Sequence, residues 1–273
     1  MVLAHRNVDH RALESTNLVV GSLETFDPDW LDSFRPDVVL HMARLPGRGR
    51  IGRSLAARRG RRANVRLLAH LVQRLPNVHL VYVSGTLMYG DRGEDDCDES
   101  TPLRPGSFAR EYARAEEPWV RGQNSADLGI TIVRPPWVIG PGSWFRNFYL
   151  RPAALRGAVP VYGPGSNWMS LLDVEDCAGA ILHLAEGAPG RVFNLFAPGQ
   201  HVRQRDFSDE VARVLGCPVD PDQRAGGDAA VQAALTGSFR AQTGHGQIAD
   251  GYRFAHTDWR EMVRRNIELE SPA

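Results

Sequence analysis

Short, continuous apolar runs alternate with longer helix-patterned stretches along the first half of the chain. Val2-Leu3-Ala4, Leu18-Val19-Val20, Val38-Val39-Leu40, residues 80–83 and residues 130–133 are apolar or nearly so at every position, with polar or turn residues on either side. Strands buried on both faces of a parallel sheet read this way, whereas half-exposed strands alternate. Between the runs, residues 55–74 and 108–123 carry helical patterns. The alternation predicts an α/β protein with a doubly wound parallel sheet.

After Arg134-Pro135-Pro136 the pattern changes. Two Gly-Pro-Gly turns, at 140–142 and 163–165, bracket an aromatic segment with Trp144, Phe145, Phe148 and Tyr149. Residues 168–172 read as a strand, 173–186 as the helix after it, and 207–215 as an amphipathic helix. Residues 221–250 show no strong period and read as loop or weak helix. The expected organisation is a core over 1–150 and a smaller, mainly C-terminal substrate lobe over 151–273, with 168–196 interleaved with the core.

Composition narrows the chemistry. The 273 residues hold 32 basic and 32 acidic side chains, and every basic one is arginine. Without lysine there is no Schiff-base amine and no phosphate-loop lysine. Arginine is no substitute as a base, because its guanidinium stays protonated. Zero net charge argues against nucleic acid or an anionic membrane as partner. Cys97, Cys177 and Cys217 are widely spaced and form neither a disulfide framework nor a metal-ligand cluster, so no metal is expected. No apolar run nears the ~18 residues of a membrane span, and no signal-peptide core is visible. These features lead to the expectation of a soluble cytoplasmic protein. Charge is nevertheless uneven: residues 38–90 contain ten arginines and no carboxylate, and residues 91–99 then carry six carboxylates.

Several segments, in order and spacing over about residues 1–215, resemble the extended short-chain dehydrogenase/reductase family, the NAD-dependent epimerase/dehydratase group. They include Asp37-Val-Val-Leu-His41-Met-Ala43, the Asn64 helix, Val81-Tyr-Val-Ser84-Gly-Thr-Leu-Met-Tyr89-Gly90 and Glu99-Ser-Thr-Pro102. Thr131-Ile-Val-Arg134-Pro135, Ile139-Gly-Pro-Gly142, Leu172-Asp-Val-Glu-Asp176 and Val192-Phe-Asn194 continue the series. The resemblance implies a Rossmann-like core. It also implies a first strand ending in a glycine-rich turn, where the backbone meets the cofactor pyrophosphate. Here the first glycine is Gly21; residues 2–7 look like the family's second strand and 18–23 like its third, with Ser22 where an aspartate usually meets the adenine. Either the first strand-turn-helix is missing or it has degenerated into residues 2–13. If it is missing, its neighbours must pair directly or another chain must fill the gap. Gly47-Arg-Gly49-Arg-Ile-Gly52 spells a dinucleotide fingerprint, yet no acidic ribose partner follows it, so a flexible Arg/Gly loop is the expectation.

The family's catalytic Ser/Thr position falls on Gly85, flanked by Ser84 and Thr86. Its Tyr-x-x-x-Lys aligns in two ways: on Tyr112–Glu116, replacing lysine by a carboxylate, or on Phe108–Tyr112, replacing tyrosine by phenylalanine. Neither pair supports the family's hydride chemistry, in which an ammonium lowers the tyrosine's pKa. Tyr112 is then the candidate proton donor, with Thr86 and Ser84 as candidates to orient a substrate oxygen. His41, Met88, Tyr89, Phe108, Pro136, Trp137, Trp144 and Phe145 are the candidate substrate wall. The expected activity is non-redox acid/base chemistry on a small organic molecule in a biosynthetic pathway: cyclisation, dehydration, isomerisation or epimerisation, without a cofactor. Two alternatives stay open. One is an NAD(P)-dependent nucleotide-sugar epimerase or reductase, and the other is an inactive relative that serves as a partner subunit. Since family members pair through a helix bundle, the resemblance also implies a homodimer.

Overall fold

The computed structural model describes residues 2–4, 18–123, 128–187, 189–223, 228–242 and 251–270. The chain divides into two compact units, each made of discontinuous segments. The first comprises Met1–Tyr82, Glu111–Thr131 and Pro189–Arg191; the second comprises Val83–Arg110, Ile132–Ala188 and Val192–Ala273. Among the described residues, no helix is long and apolar enough to cross a membrane.

In the first unit the apolar runs become parallel strands. Strand β1 (Val2–Ala4) pairs with β2 (Leu18–Val20), register Leu3 to Val19. Strand β3 (Val38–His41) pairs with β4 (His79–Val83), register Leu40 to Val81. No ladder joins β1 to β3 among the described residues. Thus β1 and β2 neighbour each other as the family's second and third strands do, and direct pairing across the position of its first strand is not seen. Residues 5–13 lie outside the described set.

Helix α1 (Asp29–Phe34) leads into β3, and helix α2 (Gly49–Arg74) connects β3 to β4. Ala56, Ala57, Gly60, Ala63, Asn64, Leu67 and Leu71 of α2 are buried, three to four residues apart in the helical manner. The second and third glycines of the fingerprint-like stretch are the first and fourth residues of α2, and Gly49 takes a left-handed φ of 63°. Against α2 packs α3 (Ser107–Gln123), where Ala115 lies 3.5 Å from the position of a Cβ on Gly60. The small residues on both helices make this close approach possible. Trp119 of α3 is fully buried.

The second unit holds most of the remaining elements. They are β5 (Asp96–Cys97), β7 (Trp137–Ile139), α4 (Arg151–Arg156), β8 (Val159–Tyr162), β9 (Trp168–Asp173), α5 (Val174–Glu186) and β10 (Val192–Asn194). They continue with β11 (His201–Arg203), α6 (Gln204–Leu215), β12 (Val219–Gln223), α7 (Ala229–Thr236), β13 (Arg240–Ala241) and the C-terminal helix α8 (Trp259–Glu270). Strand β6 (Gly129–Arg134) begins in the first unit, and its second half pairs in parallel with β10. Strand β9 is central to a three-stranded sheet, parallel to β7 and antiparallel to β11. The stretch read as loop or weak helix contains α7 and β13.

The aromatic segment forms the core of this unit. Phe145, Tyr149 and Phe207 are fully buried, with Ile139, Leu171 and Met262 beside them. The Tyr149 and Phe207 rings meet edge to face at 5.0 Å, as do Trp137 and Trp144 at 4.7 Å. Burial pushes the Cys97 thiol up to about 11 and the Cys177 thiol up to about 12, so neither is a ready nucleophile.

His201 gives this unit a pH dependence. Its Nδ1 lies 3.0 Å from Ser170 Oγ, its ring stacks on Phe196 at 4.4 Å, and burial lowers its pKa from 6.5 to about 4. Between those values the unfolded chain binds a proton that the folded chain refuses, so stability falls as pH drops from 6.5 towards 4. The melting temperature should therefore drop more steeply over that window in the wild type than in His201→Gln. Equal slopes would mean that His201 titrates normally in the fold.

Candidate functional site

The sequence-derived candidates fall in both units. In the second, Ser84, Thr86, Met88 and Tyr89 follow β4 and are all buried. The Ser84 and Thr86 amides donate to the carbonyls of Val133 and Pro135, and residues 86–89 form a single 3-10 turn. Gly90 ends that turn with a φ of 77°, and a Cβ there would overlap the Arg104 carbonyl oxygen. The Tyr89 hydroxyl donates to Asn194 Oδ1 (2.9 Å) and accepts from Arg134 Nη1 (3.0 Å). Burial raises its pKa, while Arg134 and Asn194 oppose the shift. Tyr89 therefore ties the 3-10 turn to β6 and β10 and presents no surface to a ligand. Phe145 is likewise enclosed in the core, whereas Pro136, Trp137 and Trp144 are half-buried. The Phe108 side chain lies outside the described residues.

In the first unit, Tyr112 and His41 have different surroundings. His41 is buried at the end of β3. Its Nδ1 accepts the Ala43 amide proton (3.3 Å), which leaves Nε2 to donate to Asn64 Oδ1 (2.9 Å). Asn64 Nδ2 in turn donates to the Ala115 carbonyl (2.7 Å). Burial lowers the His41 pKa, and its ring meets Tyr82 and Trp119 edge to face at 5.3 Å each. With both nitrogens committed, His41 fastens β3 to α2 and α3 instead of offering a proton to a substrate.

Tyr112 lines a cleft between the end of β3, α2 and α3. Its other walls are Leu23, Ala43, Arg44, Leu45, Ala56, Ala57, Gly60, Asn64, Tyr82 and Ala115. The Arg44 guanidinium lies over the Tyr112 ring, 4.4 Å from its centre. Four of the walls are polar, and they differ in freedom. Both amide atoms of Asn64 are used. The Tyr82 hydroxyl has its pKa raised well above the usual tyrosine range, mainly by burial and further by the Glu116 charge, with Arg44 opposing. Tyr112 is half-buried and Arg44 exposed. Sequence reasoning singled out Tyr112 but missed Arg44, whose signal was its place immediately after the His41-Met-Ala43 strand end.

The enclosed space of the cleft is about 10 Å³, room for one water molecule. The Arg44 guanidinium covers the Tyr112 face at the edge of this cleft. No ammonium is present to hold a nicotinamide ribose, since the chain has no lysine.

Two clusters of histidine and carboxylate groups come within metal-binding reach, Asp29/Asp32/His70 and Asp173/Glu175/His256. In each a guanidinium already holds at least one of the carboxylates. Arg74 Nε lies 3.3 Å from Asp32, and Arg265 pairs with both Asp173 (3.0 Å) and Glu175.

Comparison with known proteins decides the family. The model of the NAD-dependent epimerase/dehydratase family matches residues 2–196. The chain belongs to this family. Protein YeeZ of Escherichia coli K12 is 26% identical over 189 residues, 68% of this chain and 58% of that protein. The chain thus spans less than two thirds of the length of this curated relative. Solved structures share the fold at low identity. DesIV, a dTDP-glucose 4,6-dehydratase from Streptomyces venezuelae with NAD and TYD bound, superposes with a TM-score of 0.75 at 21% identity, covering 94% of this chain and 81% of that one. UDP-N-acetylglucosamine 4-epimerase from Methanobrevibacter ruminantium M1 gives 0.72 at 18% identity, covering 93% and 83%. MoeE5 in complex with UDP-glucose and NAD gives 0.75 at 24% identity, covering 97% and 89%. The α/β fold is accordingly Rossmann-like.

Proposed function

We propose that this family member converts a small organic molecule by non-redox acid/base chemistry, with Tyr112 as the group that exchanges the proton. The observation that supports this reading is the stacking of Arg44 on the Tyr112 ring at the end of β3, in a chain that has no lysine. The Tyr112 hydroxyl would give its proton to, or take one from, a substrate oxygen or carbon. Arg44 would hold negative charge beside the ring, and the apolar walls would exclude bulk water. Cyclisation, dehydration, isomerisation and epimerisation each need such a proton exchange and no hydride.

A second reading, an NAD(P)-dependent nucleotide-sugar epimerase or reductase, is favoured by the family name and by the NAD named with DesIV and MoeE5. The two readings differ in what the purified protein carries. Relatives that use NAD as a resident cofactor retain it through purification when binding is tight. Under the proposed reading, heat-denatured protein should release no nicotinamide nucleotide into the supernatant, as assayed by chromatography against authentic NAD and NADP. Release of one equivalent per chain would sink the reading and support the second.

A further inference from the structure

Helix α2 runs for 26 residues without a carboxylate, and its arginines divide by the direction they face. On one flank Arg59 pairs with Glu24, and Arg66 donates to the carbonyls of Glu24 and Phe26. On the other flank Arg61 pairs with Glu117 of α3. Between these flanks runs a row that the fold leaves uncovered. Ile51, Leu55, Arg58, Arg62, Val65 and Ala69 are all exposed, Ile51 by 78%, Leu55 by 52% and Val65 by 44%. Alternating steps of four and three keep the whole row on one side of the helix, opposite buried Gly60 and Leu67. The row is roughly 27 Å long, the span of five turns. Its two ends are apolar and its centre is cationic. Among the described residues, Arg58 and Arg62 pair with no carboxylate, unlike the arginines on either flank.

From this pattern we infer that the outer face of α2 docks an amphipathic helix of a partner protein. That helix carries apolar side chains at the two ends of its seam and carboxylates in the middle, opposite Arg58 and Arg62. A second copy of the chain fits poorly, because about a two-fold axis the row faces itself and arginine meets arginine. Glu117 does not relieve this, since Arg61 and Arg121 already hold it. The acidic stretch 91–99 is also largely committed within its own fold. Glu94 pairs with Arg203 and Asp96 with Arg240, while Asp91, Asp98 and Glu99 accept backbone amides. A lipid surface fits poorly as well. A helix lying in one keeps its arginines off the apolar side, and here they divide it. A nucleic acid backbone would take the arginines but leave Ile51, Leu55 and Val65 against phosphate.

Fluorescence anisotropy on the intact chain tests this with labelled helical peptides about 20 residues long. The acidic peptide has leucine at the outer seam positions and glutamate at the two central ones; its control has lysine there. The acidic peptide should bind saturably, and the lysine peptide about tenfold more weakly or worse. Arg58→Glu/Arg62→Glu should invert that preference, which a mere loss of folding would not do. Leu55→Ser should weaken the acidic peptide about tenfold while the melting temperature stays as in the wild type. Equal binding of both peptides, binding of neither, or a preference unmoved by the double reversal would overturn the inference. So would a dimer in sedimentation that Leu55→Ser dissociates, since a second copy then covers the row. Anionic vesicles or a single-stranded oligonucleotide that bind as tightly as the acidic peptide, and no longer bind Arg58→Glu/Arg62→Glu, would overturn it in favour of a lipid surface or a nucleic acid.

Discussion

Tyr112→Phe is expected to lower turnover by roughly 10²- to 10⁴-fold, the usual contribution of one positioned acid or base. The substitution removes one oxygen and keeps the ring on which Arg44 rests. Substrate affinity should therefore change little while kcat falls, the signature of an interaction used in the transition state. The other polar walls do not compensate. Asn64 has both amide atoms occupied, and burial and Glu116 keep the Tyr82 hydroxyl from ionising. Steady-state kcat and KM, measured beside an unchanged melting temperature, check the prediction. Wild-type kcat would remove Tyr112 from the chemistry.

The largest effect on stability is expected at Asp173, the last residue of β9. Its side chain is fully buried and does several things at once. Oδ1 accepts the Glu175 amide (2.9 Å) and so caps α5. Oδ2 accepts from Arg265 Nη1 (3.0 Å) and Asn266 Nδ2 (3.3 Å), which fastens α8 to the same point. Asp173→Ala removes the cap and the buried carboxylate that holds half-exposed Arg265, at a cost of about 3 kcal/mol. For a chain of this size that corresponds to a melting temperature lower by roughly 6–12 °C. Asp173→Asn retains an acceptor for the cap and loses only the charge, so it should fall between the two. A thermal unfolding series of the three proteins checks the order. Loss confined to Asp173→Ala would assign the effect to the cap and none of it to the Arg265 pair.

Much of the fold was legible because its strands are unusually plain in sequence. Val38-Val39-Leu40 and residues 80–83 are apolar without interruption and became β3 and β4. The helix read from residue 55 begins at Gly49 instead, since two glycines and Arg48 hide its first turn. Residues 221–250 gave less, because α7 is short and half alanine, with little contrast between faces, and β13 is only two residues long. In the cleft, Tyr112 is singled out by its spacing against a family motif. Its surroundings are not. A sequence does not show that Arg44, in the loop after β3, stacks on a helix residue 68 positions later. Nor does it show that Tyr89 and Phe145, aromatic and well placed by motif, spend their surfaces inside the fold: Tyr89 holds Asn194 and Arg134, and Phe145 fills the core.

The central claim is that the chemistry in this fold proceeds without nicotinamide. Calorimetric titration of the intact, nucleotide-free protein with NAD, NADH, NADP and NADPH tests it most directly. The account predicts no saturable heat with any of the four at concentrations up to the millimolar range. Micromolar binding of any one of them, with a stoichiometry near one per chain, would contradict it.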